Sequence, residues 1–293
     1  MNQRQATITG TIAILIWGSL ALLTTYTGKT PPFQLTAMAF TVAGLIVGIK
    51  WIVLRQSPRR FLNQPWPVWL VGVGGLFGYH FFYFTALRYA PAAEASLVSY
   101  LWPLLIVLMS GLLPGERLRW FHLMGAAVAF WGAVTLILRG DTAFIGETAM
   151  WGYLAAVVCA VVWSGYSVLS RRFGEVPTDS VGGFCMVTAV LAALCHILLE
   201  TWVWPENLGI WAAIIALGVG PVGVAFFAWD IGMKRGDIRL LGVLSYGAPA
   251  LSTLLLVLFN RTEPRWIIAA GCSFIMLGAI IASLDKLKLV QKS

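Results

Sequence analysis

Ten stretches of this 293-residue chain stay apolar over roughly 18 to 23 residues, the length a helix needs to cross a hydrocarbon layer of about 30 Å. They lie near 7–27, 34–54, 66–87, 92–113, 120–138, 149–170, 180–200, 208–230, 239–259 and 264–284. Inside lipid no water satisfies the peptide groups, so such stretches must close their own hydrogen bonds as helices. The fold expected is an all-α polytopic membrane protein with short loops. Composition agrees: 59% of residues are hydrophobic and 11% charged, against roughly 25% charged in soluble domains, and mean hydropathy is +0.83. The first span follows Arg4 but is too long for a secretory leader and lacks a clear small-residue cleavage site, so it reads as a retained helix.

The ten spans divide into two copies of five. Gly75, Gly78, Phe81 and Phe82 match Gly220, Gly223, Phe226 and Phe227 at an offset of 145. After one inserted residue the offset becomes 146: Ser99, Tyr100 and Pro103 meet Ser245, Tyr246 and Pro249, and Gly125 and Gly132 meet Gly271 and Gly278. The same offset sets Trp17 on Trp163. An odd number of crossings per copy turns the second copy upside down, so residues 1–140 and 141–293 are expected to be inverted repeats around a central cavity. Inverted repeats are the mark of a carrier that opens one site to each side in turn.

Orientation follows from the basic residues. With the N-terminus on side one, that side collects 15 Lys and Arg and the opposite side 5, which places both termini in the cytoplasm. Topology thus accounts for the net charge of +8, and the charges, spread over several short loops, form no groove for nucleic acid. Cys159, Cys185, Cys195 and Cys272 all lie within spans without CxxC or metal-ligand spacing. No metal, no cofactor and no enzymatic site is expected, and neither HExxH nor a recognisable membrane-protease serine–histidine setting is present.

No lysine or arginine falls in mid-span, which disfavours a phosphorylated substrate, and the first helix, Thr11 to Tyr26, has no acid of the kind a proton-coupled exporter of cations needs. Zwitterionic or neutral substrates fit such a lining. Tyr79, His80 and Tyr83 form the densest mid-membrane polar cluster, with the two tyrosines four apart on one face. Ser96, Ser99, Tyr100 and Pro103 follow along one stripe of the next span. Pro103 and Pro249 lack an N–H and kink their helices, freeing the carbonyls of Ser99 and Ser245. Among 14 tryptophans, Trp51, Trp66, Trp69, Trp120, Trp151, Trp202, Trp204, Trp211 and Trp266 fall near span ends, where indoles anchor at headgroups. Trp17, Trp102, Trp131, Trp163 and Trp229 lie deeper. Candidate substrate contacts are Trp17, Tyr79, His80, Tyr83, Ser99, Tyr100, Trp102, Trp163 and Tyr246, and candidate hinges are Gly78, Pro103, Gly223 and Pro249. For His80 a structural bond to a neighbouring helix is as good a reading as substrate contact. Gly44 with Gly48, and Gly74 with Gly78, are spaced to let helices approach closely. Asp230, Glu94, His122 and His196 sit near span ends.

The run Leu113-Pro114-Gly115-Glu116-Arg117-Leu118, preceded by Leu101-Trp102-Pro103 and followed by Gly125 and Gly132, resembles the hallmark of EamA-like members of the drug/metabolite transporter superfamily. The second copy keeps Pro249 and Gly271 but has Asn260-Arg261-Thr262-Glu263 in place of Pro-Gly-Glu-Arg. The segments Gly78-Tyr79-His80-Phe81-Phe82-Tyr83 and Ser99-Tyr100-Leu101-Trp102-Pro103 are similar to those of bacterial aromatic amino acid exporters. That resemblance implies efflux of phenylalanine, tyrosine and tryptophan, with other neutral amino acids open, by a monomeric multi-pass protein of the bacterial inner membrane. A multidrug or other small-metabolite exporter of the same fold is the alternative.

Overall fold

A computed structural model describes residues 1–114, 118–138, 149–261 and 266–282. Every regular element among the described residues is helical. The first part of the chain forms α1 (Gln3–Gly18), α2 (Leu20–Thr25), α3 (Pro32–Val53), α4 (Arg59–Leu62), α5 (Trp66–Tyr89), α6 (Ala92–Ser99), α7 (Trp102–Ser110) and α8 (Trp120–Leu138). The second forms α9 (Ala149–Ser170), a 3₁₀ turn (Arg171–Phe173), α10 (Ser180–Leu199), α11 (Leu208–Val219), a π turn (Gly220–Val224), α12 (Ala225–Arg235), α13 (Ile238–Leu244), α14 (Gly247–Leu258) and α15 (Trp266–Ala282). Seven helical segments among the described residues are long and apolar enough to cross a membrane: Gln3–Thr25, Pro32–Val53, Trp66–Tyr89, Ala149–Phe173, Ser180–Leu199, Leu208–Arg235 and Ile238–Leu258. The span expected near 92–113 is the broken pair α6 and α7, and those near 120–138 and 264–284 coincide with α8 and α15. The motif residues Gly115, Glu116 and Arg117, together with Thr262 and Glu263, lie outside the described residues.

The helices are sorted opposite to those of a water-soluble domain. On α1 the exposed large apolar side chains are Ile8, Ile12 and Leu15, while Ala6, Gly10, Ala13 and Gly18 are buried. On α10, Val190, Leu194 and Ile197 face outward, and Gly182, Gly183, Cys185, Ala189 and Ala192 face inward. Lipid tails are as apolar as leucine, so large side chains lose nothing outside, and small ones let helices pack backbone to backbone.

Glycine sets the closest approaches. A Cβ on Gly125 would lie 2.6 Å from the Gly278 carbonyl, and one on Gly278 would lie 2.5 Å from that of Gly125. Gly132 faces the Gly271 carbonyl at 2.7 Å, so α8 and α15 meet along two glycine pairs. Gly10 on α1 and Gly232 on α12 touch in the same manner, with Gly10 Cα 2.7 Å from a Cβ on Gly232. Gly44 packs on Met186 and Gly78 on Val162. Gly74 departs from the expectation: nothing lies within 4 Å of its Cβ position. It borders an apolar groove of about 640 Å³ lined also by Trp69, Phe77, Phe81 and Val162.

Two helices break at matching places. Near Pro103 the chain tightens, with Leu101 N–H donating to Val98 O at 3.1 Å, so α6 ends at Ser99 and α7 restarts at Trp102. In the second copy Tyr246 N–H donates to Val243 O at 3.2 Å, and α13 and α14 are separated by Ser245 and Tyr246. Both follow from a proline that cannot donate to the carbonyl four residues earlier. The π turn at Gly220–Val224, around Pro221, shifts the backbone bonding of the α11–α12 span by one residue.

Several placements differ from the sequence reading. Trp51 is 3% exposed and stacks on Phe61 at 5.3 Å, so it is no headgroup anchor. Trp131 is 64% exposed and faces outward, away from any site. His122 and His196 lie near helix ends but are buried, and His196 Nδ1 is 3.0 Å from Glu200 Oε2. Glu200 also accepts from the free N–H groups of Phe33 and Gln34 at the start of α3.

Substituting Gly278→Leu is expected to lower the thermal midpoint of the detergent-solubilised protein by an amount equivalent to roughly 1–3 kcal/mol or more, since overpacking cannot relax against backbone. Gly74→Leu, at an open position, is expected to change it by under about 0.5 kcal/mol. Equal losses for the two variants would show that the glycine seam is not what holds α8 to α15.

Candidate functional site

The centre of the molecule is a knot of indoles. Trp17 stands in the last turn of α1, Trp102 begins α7 after the helix break, Trp163 lies on α9 and Trp229 on α12. All six pairings among these four rings are in contact: Trp17 lies 6.4 Å from Trp102, 5.6 Å from Trp163 and 5.1 Å from Trp229. Trp102 lies 6.2 Å from Trp163 and 5.9 Å from Trp229, and Trp163 stacks on Trp229 at 6.4 Å. Phe226 joins them, 5.9 Å from Trp17 and 5.6 Å from Trp163. Edge-to-face contacts dominate, as the quadrupoles of aromatic rings favour.

Hydrogen bonds fix two of the rings. Trp17 Nε1 donates to the Pro221 carbonyl at 2.9 Å, and that carbonyl belongs to the π turn. Trp229 Nε1 donates to Ser167 Oγ at 3.0 Å. The Ser164 hydroxyl lies 2.9 Å from the Trp102 carbonyl and 2.6 Å from the Ala160 carbonyl, tying α9 to the start of α7.

The polar cluster adjoins this knot. Tyr79 lies 5.4 Å from Trp163 and stacks on Tyr83 at 5.9 Å with an interplanar angle of 5°, as the four-residue spacing predicts. The Tyr83 hydroxyl is 3.1 Å from Ser96 Oγ on α6, and Tyr100, in the break between α6 and α7, packs on Trp102 at 6.5 Å. His80 meets the edge of Phe40 at 5.2 Å, and its Nδ1 lies 2.7 Å from the Leu76 carbonyl of its own helix. A carbonyl only accepts, so this contact assigns the proton to Nδ1 and leaves Nε2 as an acceptor available to a ligand while the ring is neutral. None of these side chains is charged apart from a protonated His80. A region of this kind suits a flat, largely apolar ligand with a few polar handles. No group of three or more His, Cys, Asp or Glu side chains among the described residues is arranged to hold a metal.

Of the sequence candidates, Trp17, Tyr79, His80, Tyr83, Tyr100, Trp102 and Trp163 come together here. Ser99 is buried at the break, 1% exposed. Tyr246 is fully buried elsewhere, in a separate cluster where it packs on Phe130 at 6.2 Å. Among the candidate hinges, Pro103 and Pro249 are buried beside their breaks, and Gly223 lies against the Gly218 carbonyl, 2.6 Å from where a Cβ would stand. Trp229, Phe226, Phe40 and Ser167 were not among the candidates. The depth of Trp229 in its span was the one signal pointing to it.

The sequence matches the EamA-like transporter family model twice, over residues 5–138 and 150–284. The chain belongs to the EamA-like transporter family. It is similar to the aromatic amino acid exporter YddG of Ancylobacter novellus, with 57% identity over 286 residues, covering 97% of this chain and 99% of the relative. It is also similar to the exporter of the same name from Salmonella typhimurium, with 25% identity over 297 residues, covering 96% and 97%. A solved crystal structure superposes with a TM-score of 0.90 at 55% identity, covering 96% of this chain and 98% of the other. The protein is thus a multi-pass membrane transporter whose aromatic centre lies among helices drawn from both family matches.

Trp163→Ala removes the ring that touches the other three indoles as well as Tyr79 and Phe226, and is expected to cost roughly 3–5 kcal/mol of stability. Trp131→Ala, at an exposed position, is expected to cost under about 0.5 kcal/mol. Thermal denaturation followed by near-ultraviolet circular dichroism checks both, and a near-native Trp163→Ala midpoint would remove the indole knot from the core.

Proposed function

We propose that this protein exports aromatic amino acids across the bacterial cytoplasmic membrane by alternating access between two inverted five-helix halves, residues 1–140 and 141–293. The observation that carries the reading is the composition of the indole knot, with two rings from each half: Trp17 and Trp102 from the first, Trp163 and Trp229 from the second. Any motion of one half against the other must rework the four ring contacts that cross between them. An aromatic substrate ring is chemically equivalent to one partner in such contacts, so it exchanges for them at little cost, each aromatic pair being worth roughly 0.5–1.5 kcal/mol beyond its buried area.

Ten crossings result when the broken pair α6–α7, α8 and α15 join the seven long spans. Inversion draws support from the packing. The 146-residue offset carries Gly125 to Gly271 and Gly132 to Gly278, so it exchanges the two glycine pairs of the α8–α15 seam. It likewise pairs the two helix breaks. Both termini lie in the cytoplasm, on the side that collects 15 of the 20 Lys and Arg.

Within the site the hydroxyls of Tyr79, Tyr83 and Tyr100 supply donors for a substrate carboxylate, and His80 Nε2 supplies an acceptor for its ammonium. Indole faces stabilise the same ammonium by cation–π attraction and stack on the side chain. The names carried by the Ancylobacter and Salmonella relatives support this substrate class.

In proteoliposomes loaded with labelled tryptophan, phenylalanine, threonine or a cationic dye, saturable transport of tryptophan and phenylalanine is expected. His80→Ala is expected to lower kcat/KM for them roughly tenfold, about 1.4 kcal/mol, the scale of one lost hydrogen bond. Saturable transport of the dye without the amino acids would replace this reading with a multidrug exporter.

A further inference from the structure

Asp230 and Lys234 form a buried ion pair that the substrate site does not use. The Lys234 ammonium lies 2.9 Å from Asp230 Oδ2, with side chains 6% and 3% exposed. Thr178 Oγ1 donates to the same carboxylate oxygen at 2.7 Å, and Lys234 also donates to the Val176 carbonyl at 2.9 Å. Arg171 Nη1 donates to the Gly236 carbonyl at 2.7 Å and the Met233 carbonyl at 3.2 Å, capping the end of α12. These bonds fasten the segment between α9 and α10 to the C-terminal end of α12. The same corner is held by the other half of the molecule: Gly232 touches Gly10, and Asp237 N–H donates to Thr7 Oγ1 on α1 at 2.9 Å.

Burying two charges is costly, and a buried pair is often no better for stability than well-packed apolar side chains. Its position suggests another use. The residues 145 positions earlier are Thr85, whose hydroxyl bonds back to the Phe81 carbonyl of its own helix, and exposed Tyr89. The first copy therefore has no matching ion pair. At the opposite end of the molecule, α2 and the start of α11 instead flank a cavity of about 590 Å³ lined by Tyr26, Gly28, Asn207 and Ile210. One end is held by a polar network, and the other carries an open depression.

The two features are joined by one rigid element. α12 is a continuous helix of 11 residues that carries Phe226 and Trp229 into the indole knot and Asp230 and Lys234 into the ion network. Displacing Trp229 therefore displaces the carboxylate next to it. We propose that Asp230, Lys234 and Thr178 are a one-sided gate latch that braces the end of α12 where α1 of the other half closes on it through Gly10 and Thr7, so holding the cytoplasmic end closed, and that α12 transmits substrate occupancy at the indoles to its release. The assignment of sides rests on the orientation proposed above. Coupling of this kind is reciprocal: whatever opens the latch changes affinity at the rings, and the converse holds equally.

The test uses the full-length protein in sealed inside-out vesicles, which present the cytoplasmic end to the medium. A charged maleimide reports opening through a Ser170→Cys reporter, placed at the buried end of α9 beside Arg171, with the protein lacking the reporter as background. Asp230→Asn and Lys234→Met are each expected to raise the labelling rate roughly tenfold, a population shift of about 1.4 kcal/mol. The charge exchange Asp230→Lys with Lys234→Asp is expected to restore it towards the starting rate. Thr178→Val removes one hydrogen bond and no charge, so it keeps the test decisive where a charge variant does not fold; a smaller rise is expected. Labelling at the starting rate in Thr178→Val and in every folded charge variant overturns the latch. If added tryptophan leaves labelling unaltered while the variants still raise it, the transmission through α12 is overturned and the latch alone stands; saturable tryptophan transport in the same vesicles decides the substrate reading separately.

Discussion

In lipid, helices gain nothing by hiding apolar faces from water, so what holds α8 against α15, or α1 against α12, is the van der Waals contact that glycine permits between backbones. Gly125 with Gly278, Gly132 with Gly271 and Gly10 with Gly232 set the spacing of those helices. The positions of larger side chains elsewhere follow from that spacing. Leucine and isoleucine cover the outside, where they do no more than match the solvent. This is why alanine and glycine recur where helices touch, while the centre itself is filled by indole and phenyl rings.

Within that frame, breaks in helices do the positioning. Pro103 divides α6 from α7 and lets Trp102 begin a new helix pointing into the centre. The π turn around Pro221 offers the carbonyl that receives the Trp17 indole. Serines on one face of α9 hold two neighbouring helices, Ser167 accepting from the Trp229 indole of α12 and Ser164 donating to the backbone carbonyl of Trp102 on α7. The aromatic centre thus depends on a few polar contacts made by backbone irregularities that would be tolerated nowhere else at this depth.

Much of the site was legible beforehand. Tyr79, His80 and Tyr83 stood out as polar groups in an apolar span, with a spacing that puts the tyrosines on one helical face. The internal repeat singled out Trp17 with Trp163. Phe226 appeared in the repeat only as the match of Phe81 and Trp229 only by its depth, and Phe40 carried no signal, because an aromatic residue in an apolar span is compositionally ordinary. Tyr100 and Tyr246 are instructive together, since the 146-residue offset sets one on the other and each stands in one of two matching helix breaks. One packs on Trp102 beside the centre and the other on Phe130, a divergence that the offset does not encode. Asp230 read as a residue near a span end; Lys234 stands four positions on, within reach on the same helix, but the burial of the pair and its bond to Thr178 emerged only when the segment before α10 was seen folded against it.

The sequence by itself determined that the chain is helical, lies in a membrane and carries two related copies, because span length, hydropathy and repeat spacing are local quantities written directly in residue order. Only the tertiary structure decided which indoles meet, which glycines touch and which acid is buried with its base. Those outcomes depend on the distances and rotations between helices far apart in the chain. The bond from Trp17 to Pro221 joins residues 204 positions apart, and such a contact exists only once packing has set how neighbouring backbones lie against one another.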